Sequence, residues 1–192
     1  MKLCILGGGL TGLSLAKSLV KKGLSIDIFL NKKKSDFNRS RTIGISNDNL
    51  MYFNKEILDI KKLSWDIKKI EIYSDNLRNE KILNFENNNK TVFAIIRNYQ
   101  LQSKLLKSLK KDKLCKFRQN FDYNLSNLKK YKLIINCEND NYFTKKFFAR
   151  SLKKKYESLA YTTILNTKKF RIIQHLKYLR KMDHGLFYHY QK

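Results

Sequence analysis

Gly7, Gly8, Gly9, Leu10, Thr11 and Gly12 set a GxGxxG spacing directly after the apolar run Leu3-Cys4-Ile5-Leu6. The chemistry open to such a run is anion binding by bare backbone. Gly7 lets the chain turn tightly out of a strand, Gly9 offers no side chain to hold phosphates away, and Gly12 lets a following helix pack close to the sheet. The first amides of that helix, at Leu10, Thr11 and Gly12, then face the anion at the positive end of the helix dipole. A glycine-rich turn with no ligand is the alternative reading, because the spacing alone is common and gains a mechanism only between a strand and a helix.

The other residues able to do chemistry carry less. His175, His184 and His189 include no pair at the i, i+4 separation of a helical metal site, and only Asp183 stands near them, so no metal site is expected. Cys4, Cys115 and Cys137 lie in apolar strand-like runs and read as buried free thiols. No serine, cysteine or carboxylate arrangement marks nucleophilic catalysis, and no catalytic base can be named.

The elements needed to position the glycine turn are legible around it. Leu10, Leu13, Ala16, Leu19 and Val20 make one apolar helical stripe, Gly23 ends the helix, and residues 25–30 supply a second strand, completing a βαβ unit. Residues 31–41 are polar and basic and read as a loop over the nucleotide site. A short strand at 42–46 precedes a helix opening at Asp48 or Asn49 and running through Leu58. Runs at 67–73, 81–85 and 91–96, separated by turn residues Asp75-Asn76 and Asn87 to Asn89, predict a small antiparallel sheet apart from the nucleotide unit. Leu101, Leu105, Leu106 and Leu109 trace a helical face, followed by strands at 114–117 and 133–137. In the tail, Ile172, Leu176, Tyr178 and Leu179 form one helical or strand face. Lys177, Tyr178, Arg180, Lys181, Phe187 and Tyr188 mix cations with rings that could stack on single-stranded bases.

A chain of 192 residues with 42% hydrophobic content can bury one respectable core. Its 41 Lys and Arg against 16 Asp and Glu give a net charge of +25, with no proline. The lysines recur along the whole chain among many asparagines and isoleucines, a mixture that matches the codons of an AT-rich genome. Weak nonspecific anion binding is the alternative, and specific nucleic-acid recognition is not expected. No apolar stretch approaches the roughly 20 residues that cross a bilayer, and the glycine turn interrupts the N-terminal apolar segment, so a signal peptide is not expected either. The expectation is a cytoplasmic protein, with weak peripheral association at the inner membrane face left open.

Beyond the first motif, the chain resembles the flavoprotein aromatic hydroxylases, especially the branch that hydroxylates ubiquinone precursors. Gly7 to Gly12 with Ala16, Leu19 and Gly23 is similar to that family's opening. Arg41-Thr-Ile-Gly-Ile-Ser46 is similar to its Arg-x-x-Ala-Leu-Ser segment, whose arginine lies beside the flavin, and Trp65 with Ile70 resembles its entry into the substrate sheet. Ile96-Arg97 with Leu101 and Leu105 resembles a strand-to-helix element that approaches FAD, and Tyr161-Thr-Thr-Ile164 resembles a substrate-domain strand. The resemblance implies FAD as cofactor, NAD(P)H as reductant, and transfer of one oxygen atom from dioxygen to an aromatic quinone precursor.

Three departures accompany it. Leu30 stands where the family has a glutamate that holds the adenosine ribose; Asn31, next to it, could substitute without charge. Glu138 and Asn139 stand where the family has an Ala-Asp-Gly segment whose acid contacts the cofactor. No Gly-Asp pair follows Ile164. The expectation is therefore a truncated member, weakly active or inactive alone, with a complementing C-terminal chain as a possible partner. A noncatalytic dinucleotide-binding remnant and a basic protein that binds anionic polymers remain the alternatives.

The fold class expected is α/β: a Rossmann-like FAD/NAD(P)-binding unit with an inserted, incomplete antiparallel substrate-domain sheet. Residues 1–64 with 91–150 are assigned to the first, and 65–90 with 151–192 to the second. The expected cofactor-binding set is Gly7, Gly9, Leu10, Thr11, Gly12, Asn31, Arg41, Arg97 and Glu138.

Overall fold

The computed structural model describes residues 2–30, 39–74, 80–88, 90–119, 121, 124, 129–148, 159–166, 174–179 and 184–191. In chain order the strands are β1 (Lys2–Leu6), β2 (Ser25–Leu30), β3 (Thr42–Ser46), β4 (Ser64–Ile67), β5 (Lys69–Ser74), β6 (Glu80–Glu86), β7 (Phe93–Arg97), β8 (Cys115–Gln119), β9 (Leu133–Asn136), β10 (Leu159–Asn166), β11 (Gln174–Leu179) and β12 (His184–Gln191). The helices are α1 (Leu10–Lys21), α2 (Asn47–Tyr52), α3 (Asn98–Lys110) and α4 (Tyr142–Phe147).

Two compact units result. The first comprises Met1–Asn38, Tyr52–Lys62 and Asn98–Leu152, and the second Arg39–Met51, Leu63–Arg97 and Lys153–Lys192. This division differs from the expected boundaries at 39–51, 63–64 and 91–97, because β3 and β7 pair with β4 rather than with the parallel strands, and at 151–152, which fall in the first unit.

The first unit is built on a parallel sheet in the order β8-β2-β1-β9. Leu3, Cys4, Ile5 and Leu6 are all buried, as are Ile26 and Ile28, which is the composition a strand covered on both faces requires. Leu13, Ala16 and Val20 of α1 and Leu101, Leu105 and Leu109 of α3 are buried as well. The stripes that predicted these helices are their core faces. The mixed α/β architecture, a parallel Rossmann-like sheet with separate sheets containing antiparallel strands, is the one expected.

β2 carries a single charge within its apolar run. Asp27 is completely buried, and its Oδ2 accepts hydrogen bonds from Arg118 Nε at 2.7 Å and the Tyr131 hydroxyl at 2.8 Å, with Lys2 Nζ at 2.9 Å. Burial pushes the carboxyl pKa up, but the bonds from Lys2, Tyr131 and Arg118 outweigh it and hold Asp27 below the usual carboxylate range. Burial and the neighbouring Asp27 likewise push the Tyr131 hydroxyl up. This cluster ties β1, β2 and β8 together beside the hydrogen bond from Lys132 N to Lys2 O at 3.1 Å that leads into β9.

In the second unit, β3-β7-β4 forms an antiparallel sheet, and β10-β12-β11-β5-β6 forms a mixed one in which β5 pairs antiparallel with β6 and parallel with β11. The expectation that runs 67–73, 81–85 and 91–96 share one sheet fails for the last. Ala94, Ile95 and Ile96 of β7 are all buried, so that strand needs the central place between two partners, whereas β6 leaves Ile82, Leu83 and Phe85 exposed at a sheet edge. Gly44 in β3 lies against the ring of Phe93, where a Cβ would collide. The helix expected through Leu58 is α2 followed by a wider turn at Phe53–Ile57, closed by the bond from Leu58 N to Phe53 O at 2.9 Å. In the tail, Leu176, Tyr178 and Leu179 lie in the strand β11, and Ile172 lies outside the described residues.

Asp27 generates a pH prediction. Because its folded pKa lies below the ordinary 3.8, its contribution is complete above that value and is lost as pH falls through the folded pKa. Asp27→Asn should cost about 2 kcal/mol in urea unfolding at pH 7, since Lys2 and Arg118 are partly exposed and keep access to water. The variant's unfolding midpoint should also respond less to acid than wild type does below about pH 4.

Candidate functional site

The glycine turn joins β1 to α1. Gly7 has φ +115°, a left-handed conformation that side chains rarely adopt, and its N–H donates to Phe29 O at 3.0 Å. Gly9 caps the helix from an extended conformation (φ −74°, ψ 176°), and its carbonyl accepts from Leu13 N at 3.0 Å. Leu13 thus makes the first intrahelical bond, which leaves the amides of Leu10, Thr11 and Gly12 directed out of the helix end. No acidic residue occupies the first turn. The helix end is therefore set for an anion.

The three glycines of the motif meet different surroundings. A Cβ at Gly12 would strike Gly7 O and stand 3.4 Å from Ile5 Cγ2, so that glycine exists for close packing of α1 on β1. A Cβ at Gly7 would stand 2.9 Å from Glu138 Cγ and 3.1 Å from Cys137 O. Around Gly9, among the described residues, nothing lies within 4 Å. Of these three, Gly9 alone meets no described neighbour, and it is the position whose bare backbone a phosphate would approach.

Glu138 is held there by its own network. Cys137 N donates to Leu6 O at 2.8 Å, which keeps the chain beyond β9 alongside the end of β1. Asn136 Oδ1 accepts from Glu138 N at 3.1 Å and from Asn141 Nδ2 at 2.6 Å, while Thr144 Oγ1 donates to Glu138 O at 3.0 Å. Asn141 also caps α4 by accepting from Thr144 N at 3.0 Å. Asn139, where the resembled family has glycine, is not among the residues with positive φ, so this turn is built without one.

Three side chains complete the surroundings. Gln102 on α3 is nearly buried and donates from Nε2 to Gly8 O at 2.8 Å, fixing the peptide in the middle of the turn. One helical turn earlier on the same face, the buried Asn98 Oδ1 has no hydrogen-bond partner among the described residues. Leu30, at the end of β2, lies so close to Gly8 that a Cβ there would strike its Cδ2. An apolar group therefore covers that flank of the turn, at the position where the resembled family carries its glutamate.

Gly7, Gly9, Leu10, Thr11, Gly12 and Glu138 are thus brought together within the first unit. Arg41 and Arg97 belong to the second, at one end of its antiparallel sheet, where Thr42 pairs with Arg97 and the exposed Arg41 precedes it. The Arg97 guanidinium sits 5.6 Å from the centre of the Trp65 ring. Asn31 lies outside the described residues. Gln102 escaped sequence reasoning, although a polar residue beside Leu101 on an otherwise leucine-lined face was its signal. Among the described residues no group of three or more His, Cys, Asp or Glu could hold a metal, and no helix is long and apolar enough to cross a membrane.

No protein-family model matches the chain, and no curated protein sequence matches it. Solved structures do. pqsL from Pseudomonas aeruginosa, described as a probable FAD-dependent monooxygenase, superposes with a TM-score of 0.58 at 10% identity, covering 81% of this chain and 48% of that one. The same protein with 2-aminobenzoylacetate gives 0.59 at 10% identity over the same shares. p-Nitrophenol 4-monooxygenase PnpA from Pseudomonas putida DLL-E4 gives 0.51 at 17% identity, covering 62% of this chain and 31% of that one. Over those spans the chain shares their fold. It spans less than half the length of each.

The different roles of Gly9 and Gly12 are separable by melting. Gly12→Ala should lose about 2 kcal/mol of stability from overpacking against Gly7 O. Gly9→Ala, with allowed dihedrals and free space, should unfold within about 0.5 kcal/mol of wild type.

Proposed function

We propose that the chain binds FAD through the glycine turn and forms the nucleotide-binding part of a flavin-dependent monooxygenase acting on aromatic substrates. The observation that carries this reading is the open space at Gly9 above an acid-free helix N-terminus, on a fold shared with pqsL and PnpA, the first described as a probable FAD-dependent monooxygenase and the second as p-nitrophenol 4-monooxygenase. A quinone-precursor substrate and NAD(P)H as reductant are what the resemblance at Arg41, Trp65, Arg97 and Tyr161 implies.

The residues fit the diphosphate end of the cofactor. Amides of Leu10, Thr11 and Gly12 hold the phosphates, Gln102 keeps the Gly8 peptide from turning, and the Asn98 carbonyl is free to accept from a ligand donor. FAD, when bound, supplies the electron transfer and oxygen chemistry that no protein side chain supplies. Arg41 and Arg97 are assigned to the flavin side by the resemblance, as cations able to balance a reduced ring's negative charge.

The ribose end does not fit. Leu30 accepts no hydrogen bond, and its contact with Gly8 occupies the space that a ribose-binding carboxylate would use. That observation favours a second reading, in which the chain is a noncatalytic remnant with reduced cofactor affinity.

FAD titration followed by flavin fluorescence tests both. Wild type should bind and Gly9→Val should lose binding at least about tenfold, since its branched side chain would stand in the phosphate position. Equal response from the two proteins would remove the glycine turn as the binding site. Leu30→Glu should tighten FAD by about tenfold through a bidentate ribose contact. If wild type and Leu30→Glu both bind FAD, a steady-state assay for NAD(P)H-dependent oxygenation of a phenolic substrate separates monooxygenase from remnant.

A further inference from the structure

The surface of the first unit carries an aromatic and basic projection, α4, whose exposed rings and lysines are not among the residues of the candidate nucleotide site. α4 opens at the Asn141 cap and is fastened to the end of β9 by the Asn136, Asn141 and Thr144 hydrogen bonds, so its orientation is fixed within that unit. Phe143 turns towards Phe121, with ring centres 6.2 Å apart. Its neighbours do the opposite. Tyr142 is 46% exposed, Phe147 63% and Phe148 67%, three large rings in one short stretch. Lys145 and Lys146 stand among them, with Lys145 Nζ 3.3 Å from an Asp140 carboxylate in an exposed pair.

Single exposed rings are common, but adjacent phenylalanines held outward on a capped helix are costly to leave in water. The chemistry of the group narrows its partner. The Phe147 ring stacks on Phe143 with centres 6.0 Å apart and planes 23° apart, and Lys146 Nζ lies 5.6 Å from its centre and 5.5 Å from that of Tyr142. Phe147 thus meets a ring and a cation already and offers a nucleic-acid base little free face, while Phe148 beside it adds an apolar ring with no counterpart in water. A neutral protein groove would leave the lysines and the chain's net charge of +25 without a counterpart. An anionic lipid surface answers both features: acyl chains receive the exposed rings, and phosphate headgroups meet the lysines.

We propose that α4 together with Phe148 docks on an anionic bilayer, with Phe147 and Phe148 entering the headgroup boundary and Lys145 and Lys146 at the phosphates. The site is independent of FAD binding, and its failure leaves the nucleotide reading untouched.

The test is cosedimentation of the whole chain with vesicles of phosphatidylcholine alone and of phosphatidylcholine mixed with phosphatidylglycerol, at low and high salt. Wild type should bind the mixed vesicles, bind the neutral ones at least tenfold less, and weaken as salt rises. Phe148→Ser, at the most exposed ring, should lower binding to mixed vesicles by about tenfold with an unchanged thermal melt, and adding Phe147→Ser should lower it further. Three results overturn the proposal. Wild type fails to sediment with mixed vesicles, or the serine variants bind as wild type does, leaving only diffuse charge attraction. In the third, polyuridylate binding shows the same dependence on Phe148 and displaces the protein from vesicles, making the surface one for nucleic acid.

Discussion

The approach of α1 to β1 at Gly7 and Gly12 is the constraint on which the candidate site rests. Gly12 has no Cβ because Gly7 O occupies its place, and Gly7 takes a left-handed φ because the chain must reverse within one peptide of the strand end. Were either residue larger, the helix would stand off from the sheet and its first amides would no longer converge above the strand. Everything else in the first unit adapts to that contact. β9 runs beside β1, carries Cys137 N to Leu6 O, and so delivers Glu138 to the side of the turn, while α3 delivers Gln102 to the carbonyl of Gly8.

The opposite face of the sheet uses another kind of interaction. Asp27 sits in a strand otherwise apolar, and three donors converge on one of its oxygens. A buried carboxylate is tolerable only because those partners reach it from three separate segments, and for the same reason it specifies register. A shift of β2 by one residue would move Asp27 to the helix side, away from Lys2, Arg118 and Tyr131. Cys4, its partner across the strand pair, has its thiol pKa pushed up to about 12 by burial first and then by Asp27, so it is inert as a nucleophile.

Local signals made the first unit readable and left the second harder. The turn from strand to helix announces itself because glycine is a conformational statement, and the stripes Leu10 to Val20 and Leu101 to Leu109 announce their buried faces by period. Strand partnership has no comparable local mark. Nothing in residues 91–96 says that they pair with 42–46 and 64–67 instead of 81–85; the decision comes from which strand has both faces buried. Asp27 and Gln102 were missed for a related reason, because each is a polar exception in an apolar run whose meaning depends on partners about 90 residues away in sequence. Arg41 and Arg97 were found as separate motifs, and the antiparallel pairing of β3 with β7 brings them to one sheet end.

The two ends of the proposed ligand site also differ in how they are made. The diphosphate end consists of main-chain amides and absent side chains, held in place by packing that the fold needs in any case; replacing Gly12 would damage the sheet contact before it damaged a binding function. The ribose end depends on one carboxylate at the tip of β2, where no backbone geometry requires an acid. Leu30 can stand there at no cost to folding and even gains a contact with Gly8. A backbone site and a side-chain site on the same turn can therefore part company. On the proposed reading, affinity for a dinucleotide would reside in its phosphates, and discrimination among the sugars attached to them would be slight.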